Sequence, residues 1–297
     1  MERHRVCTAV TCIFFSLLPP AGGMPAAETP YGLITIGEAV ITVPPPAGFR
    51  EVSTLAPDVR ELSENATPAS NRLLGVYLSG ADVMLVEKGE IPLMERYMYL
   101  QTFRATEAYP VAPEDFAALT REMRAQRQPL PGNATDGVNA DLDELSRQLS
   151  SKHSVEVAFE TGKPVPLGVY LDRPDALGMA MLVPYVMNVD DERADYVMVT
   201  GINVLRLNNK LVYAYVYSLH EDAEDVEWVR RASIEWANAL QAANPHVVAS
   251  AALPSGIVTD AAVDDAFAEA VIATLLLLAG VVVLLRKWRA HVNRKSS

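Results

Sequence analysis

Apolar and β-branched runs of strand length recur along most of the chain, and the pattern switches to a helical period in three places. The opening shows β-rich runs, Leu33-Ile34-Thr35-Ile36 and Ala39-Val40-Ile41-Thr42-Val43, on either side of Gly37-Glu38. Branched residues flanking a glycine-containing pair predict a hairpin. Pro44 to Gly48 ends it, and residues 56–71 read as polar, turn-rich chain. Strand runs are predicted again at Arg72 to Leu78 and Asp82 to Glu87, around Ser79-Gly80. A longer strand is predicted from Arg96 to Arg104, with Tyr97, Tyr99, Gln101 and Phe103 on one side and Met98, Leu100 and Thr102 on the other.

The period then changes. Pro113-Glu114-Asp115 opens a predicted helix, with proline in the first turn and acids at the positive helix end. Phe116, Leu119 and Met123 form its apolar stripe, and Pro129 and Pro131 end it. The stretch Gln128 to Gly137 reads as a loop. A short helix follows at Asp141 to Leu149, with Leu142, Leu145 and Leu149 on one face, either capping the core or lying in a mobile insertion. Strand patterning returns over Val155 to Phe159, Val165 to Leu171, Leu177 to Val189, Tyr196 to Leu205 and Leu211 to Leu219, with Asn208-Asn209-Lys210 as a turn. In the last strand Tyr213, Tyr215 and Tyr217 alternate with Val212, Ala214 and Val216. Three rings on one face predict packing against a helix or cover for a sheet, with an aromatic binding surface as the rival reading. A third helix is predicted over Ala223 to Ala243, where Val226, Val229, Ser233, Trp236 and Leu240 recur at steps of three and four.

Consecutive strands joined by short turns predict antiparallel pairing. The fold class expected is α+β, an antiparallel β-sheet with helices packed on one face, plus one C-terminal transmembrane helix. The order of elements, with the Pro45 to Phe49 segment after the first strands, resembles the Mog1/PsbP-like fold over residues 31 to 243. That resemblance implies a binding or assembly role and assigns no role to any residue.

The two ends change the picture. Arg3 and Arg5, the apolar run Val6 to Leu18, then Pro19, Pro20 and small residues have the order of a signal peptide over residues 1–27. Ala270 to Leu285 carries no charge, and Ala266 to Ala268 extend it toward the roughly 20 residues a spanning helix needs. Trp288 and the basic residues Arg286, Lys287, Arg289, Arg294 and Lys295 follow. The organisation expected is an exported domain over 28–245 with a polar insertion near 128–150, a linker over 246–265, a transmembrane helix over 266–288 and a basic cytoplasmic tail over 289–297. This places the protein in a bacterial inner membrane with its domain in the periplasm, membrane lipid as one partner and an envelope protein as another.

The chain has 25 basic and 37 acidic residues, and removing its two ends leaves 18 basic and 36 acidic ones in the body. So negative a field excludes a nucleic-acid groove. Both cysteines, Cys7 and Cys12, lie in the first 27 residues, so the body has no disulfide or thiolate metal site.

No Gly-rich phosphate loop, nucleophile elbow or HExxH motif is present. His153, His220 and His246 are widely spaced, and His4 and His291 belong to the ends. His220-Glu221-Asp222 reads as an acid/base or metal corner, or as a solvated turn before a helix. Asp172 to Asp175 and Asp190-Asp191-Glu192 read as acidic turns rich enough in oxygen for a hard cation, without the calcium-loop spacing. No catalytic, cofactor-binding or metal-ligating residue is assigned, and no cofactor is expected. The functional expectation is a membrane-anchored, non-enzymatic binding or assembly protein with an exposed aromatic-acidic patch. The alternative is an envelope hydrolase whose acid and histidine groups meet only on folding.

Overall fold

The computed structural model describes residues 32–125, 142–143, 146–147, 150–151, 156–189 and 192–245. The strands are β1 (Gly32–Ile36), β2 (Ala39–Val43), β3 (Phe49–Glu51), β4 (Asn71–Ser79), β5 (Arg96–Phe103), β6 (Val157–Thr161), β7 (Val165–Arg173), β8 (Ala176–Val189), β9 (Glu192–Leu207) and β10 (Lys210–Leu219). The helices are α1 (Pro57–Asn65), α2 (Gly80–Glu87), α3 (Pro113–Ala125) and α4 (Ala223–Ala243).

β1 and β2 form a two-stranded sheet, closed at Ile36↔Ala39. Gly37 makes the turn at φ 56, a region that glycine enters without steric cost. The remaining eight strands form one sheet in the order β3-β4-β5-β10-β9-β8-β6, with β7 also on β8. Every pairing in it is antiparallel. β6 and β7 lie end to end along one edge of β8: β6 pairs with Tyr185–Val189 and β7 with Ala176–Leu182. β9 and β10 are joined through Asn208 and Asn209, at φ 47 and 59, the left-handed pair that a tight hairpin turn demands.

The sheet is buried on both sides, so the expectation of helices on one face is corrected. Strand alternation sends Tyr213, Tyr215 and Tyr217 into one core, with Tyr97, Tyr99, Ile202, Val204 and Tyr185. Val59 and Leu62 of α1 and Phe116 and Met123 of α3 belong to that core, as does Leu142. Leu142 is fully buried there. Val212, Ala214 and Val216 point into the other core, shared with Val229, Trp236, Ala237 and Leu240 of α4 and with Ile36, Ile41 and Val43 of the hairpin. A strand buried on both faces cannot show a clean apolar/polar alternation, and a one-sided architecture is the wrong inference from it.

Two further expectations are corrected. Residues 56–71 are not all turns: α1 starts with Pro57 and buries Val59, Leu62 and Ser63. Its apolar stripe is only two side chains wide and is hidden among charges. Asp82 to Glu87 is helix and not strand. Ser79 caps α2 by accepting a hydrogen bond from the Asp82 N–H at 3.1 Å. A short apolar run such as Val83-Met84-Leu85-Val86 has no period of its own, so the cap decides.

The membrane reading is also corrected. Among the described residues no helix is long and apolar enough to cross a membrane. The longest, α4, is amphipathic, with Val229, Ser233, Trp236, Ala237 and Leu240 buried and charged residues between them. Residues 1–27, 246–265 and 266–297 lie outside the described residues. What stands is a mixed α+β fold with an antiparallel sheet and packed helices. A transmembrane anchor, lipid as its partner and an inner-membrane, periplasmic placement are not carried forward, and neither is the finer likeness to the Mog1/PsbP-like fold.

Candidate functional site

The ends of β4, β5 and β10 meet the start of α2 and the start of α4 at one rim of the sheet. A half-open cavity of about 360 Å³ lies there, lined by Ser79, Ala81, Asp82, Leu93, Glu95, Arg96, Ser218, Leu219, Glu221 and Asp225. Its size falls within the range of small-molecule sites. Four carboxylates face a single guanidinium.

Each wall has a local cause. Asp82 is buried in the first turn of α2, where one carboxylate oxygen accepts from the Leu93 and Met94 N–H groups at 2.6 and 3.2 Å. The other accepts from the Ser79 hydroxyl at 2.9 Å. Asp82 thus ties the loop before β5 to the cap of α2. On the opposite wall Asp222 and Asp225 form a capping box at the start of α4. Asp225 accepts from the N–H groups of Glu221 and Asp222 at 2.9 and 3.3 Å, and from Arg96 at 3.0 Å. Burial pushes the Asp225 carboxyl up, but the hydrogen bonds from Glu221, Arg96 and Asp222 outweigh it and hold the group below the usual carboxylate value.

Arg96 crosses between the walls. Besides the Asp225 pair it reaches the Ser218 hydroxyl at 3.4 Å, and its guanidinium carbon lies 4.4 Å from the centre of the Trp228 ring. An arginine held by a carboxylate and an indole face is fixed by a charge pair and by the ring quadrupole together. Leu93 and Leu219 supply the apolar part of the lining, and Leu93 is 39% exposed.

The groups singled out in the sequence are placed differently. The tyrosines of β10 are not an exposed patch. Tyr213, Tyr215 and Tyr217 are at most 1% exposed and stack in a row, with neighbouring ring centres 6.3 and 6.2 Å apart. Tyr217 also stacks on Tyr97 at 4.7 Å. Burial pushes the hydroxyls of Tyr97, Tyr185, Tyr213 and Tyr217 well above their ordinary range. The aromatic binding surface is therefore corrected to a core.

The acidic turn at 172–175 does not converge on an empty centre. Asp172 pairs with Arg124 and Asp175 with Arg206, each at 2.6 Å. Asp190 and Asp191 lie outside the described residues, as do His153 and His246. In the His220-Glu221-Asp222 corner, Asp222 caps α4, Glu221 enters the cavity lining and His220 does not. Among the described residues no three metal-binding side chains gather. Sequence reasoning missed the cavity as a unit, although Ser79-x-x-Asp82 carries a cap signature and Asp222-x-x-Asp225 another.

No protein-family model matches the chain, and no curated protein matches its sequence.

Proposed function

We propose that the domain works as a binding module and that the cavity between α2 and α4 receives a compact organic cation, a primary amine or a guanidinium. The observation that carries this reading is the lining itself. Asp82, Glu95, Glu221 and Asp225 surround a volume whose one positive group, Arg96, is already engaged by Asp225 and Trp228. A concave wall with four carboxylates to one guanidinium focuses a negative field into the cavity and raises the local concentration of cations. The Leu93 and Leu219 side chains offer a surface for the methylene stem of such a ligand. The membrane-anchored assembly role and the envelope hydrolase are both set aside. No histidine lines the cavity, and its two serines serve local contacts: Ser79 caps α2 and bonds Asp82, and Ser218 sits between Arg96 and Asp225.

The test is calorimetric titration of the full chain with arginine amide and lysine amide at low ionic strength, with acetate as control. Saturable binding of the cations is expected, weakening as salt rises, because exposed charge attraction is screened over about 10 Å at 0.1 M. The double variant Glu95→Gln/Glu221→Gln should abolish it. Equal affinity in that variant, or no binding in either protein, removes this reading.

A further inference from the structure

We propose, on the basis of the cation-binding reading above, that Arg96 is a built-in competitor of the ligand and sets which cations the cavity accepts. The geometry gives three reasons. First, the Arg96 guanidinium is itself a compact organic cation seated in the lining, with Asp225 at 3.0 Å, Ser218 at 3.4 Å and the Trp228 ring at 4.4 Å. Those partners recognise a planar cation: a carboxylate for charge, a hydroxyl for a hydrogen bond and an indole face for stacking. Second, the Arg96 side chain keeps 41% of its exposure, whereas the carboxylate it grips keeps 13%. The cation is the movable partner and the carboxylate the fixed one. Third, Asp225 does not depend on Arg96 for satisfaction. The Glu221 and Asp222 N–H groups hold one of its oxygens, and the Ser218 hydroxyl lies 3.3 Å from the other. Arg96 can therefore leave without orphaning a buried charge, which is what normally makes breaking such a pair destructive.

Two consequences follow for the ligand. A guanidinium can take over the Arg96 contacts one for one, whereas an ammonium, a compact point charge on a flexible stem, cannot reproduce the planar fork or the stacking. The cavity should prefer guanidinium to ammonium, and the preference should reside in the Asp225–Trp228 seat. Arg96 also opposes every cation by like charge at short range, so its removal should strengthen binding of both while leaving the guanidinium preference intact.

The experiment compares the wild-type full chain with Arg96→Met, which keeps the stem and removes the charge, and with Arg96→Gln as a second neutral variant. Calorimetric titrations use arginine amide and lysine amide, and circular dichroism checks the fold of each protein. The expected result is affinity for both cations about tenfold higher in the neutral variants, with arginine amide the tighter ligand in all three proteins. Trp228 fluorescence should change on arginine amide binding to Arg96→Met, as the ligand takes the seat on the ring. Wild-type binding that is unchanged in both folded variants overturns the competitor role and leaves the cation site standing. Cation binding absent from all three proteins overturns the cation site, and the competitor with it. Binding seen only in the variants overturns the cation site of the native protein, because the wild-type chain then takes no cation.

Discussion

The two faces of the large sheet solve the same burial problem with opposite materials. On one face β10, β5 and β8 present rings: Tyr213, Tyr215, Tyr217, Tyr97, Tyr99 and Tyr185. On the other the same strands present Val212, Ala214, Val216, Met98, Leu100 and Ala176, and α4 lies against them. The aliphatic face is thinned where the helix crosses. A side chain on Gly201 would place its first carbon 2.5 Å from the Ser233 hydroxyl and 2.8 Å from a Val229 methyl. Gly201 therefore lets the helix backbone approach, and elsewhere on α4 one large ring, Trp236, packs edge-on against Tyr77 and donates its indole N–H to the Pro44 carbonyl at 3.0 Å. One face is built from side-chain bulk on the strands. The other is built mostly from aliphatic side chains on the strands, with Tyr77 among them, and from Trp236 on the helix.

Changes on the two faces should therefore fail in different ways. Trp236→Ala should have the largest effect, a loss of about 3–5 kcal/mol in chemical denaturation, because a full ring and its hydrogen bond leave a cavity that α4 cannot collapse into. Gly201→Val should come next, at about 1–3 kcal/mol, by crowding instead of emptying the same interface. If both are tolerated without loss, the close approach of α4 is not what holds this face.

The ring face should reveal itself in alkali. Its hydroxyls have their ionisation raised by burial above that of the unfolded chain, so they favour folding fully below about pH 10, the ordinary tyrosine value, and that stability is lost as pH rises above it. Phenolate absorbance should appear in one cooperative step with loss of the fold. Gradual titration of these rings in the folded state would contradict their burial.

Asp225 runs the other way. Its value is lowered on folding, so its contribution is present above the unfolded carboxylate value, near 4, and disappears as pH falls through the folded one. Asp225→Asn should cost about 1 kcal/mol at neutral pH as a weakened cap and flatten the acid limb of stability against pH. The smallest effect is expected from Tyr217→Phe. The Tyr217 hydroxyl is buried with no hydrogen-bond partner among the described residues, so removing it should change stability by less than about 0.5 kcal/mol or raise it slightly.

Much of this contrast was legible in the chain and some was not. The steps of three and four from Val226 to Leu240 mark α4 because one side of it faces charge and solvent. The Tyr/Val alternation of β10 assigns its residues to two faces correctly, yet it cannot say that both are buried, since a half-exposed strand with tyrosines outward has the same string. α2 was misread because Val83 to Val86 has no polar interruption, and only the Ser79 cap distinguishes helix from strand there. The cavity was invisible for a different reason. Arg96 and Asp225 stand 129 positions apart, and each alone looks like an ordinary surface charge. What joins them is the β5–β10 pairing, where Ser218 lies opposite Arg96.

Asn244, just past the end of α4, has a mechanical meaning. Its carboxamide receives the Thr42 N–H at 2.8 Å and donates to the Thr42 carbonyl at 2.7 Å, as a neighbouring strand would, while Asn208 holds the Val40 carbonyl at 2.9 Å. The chain continues beyond this point. Tension applied to that continuation would meet a two-bond clamp on β2 before it reached the last turn of the helix, so the load would pass sideways into the hairpin instead of peeling α4 from its end. Asn244→Ala should lower the unfolding force of the domain when it is pulled from its C-terminal side in an optical trap, and leave it unchanged when the pulling points are placed on β7 and β3.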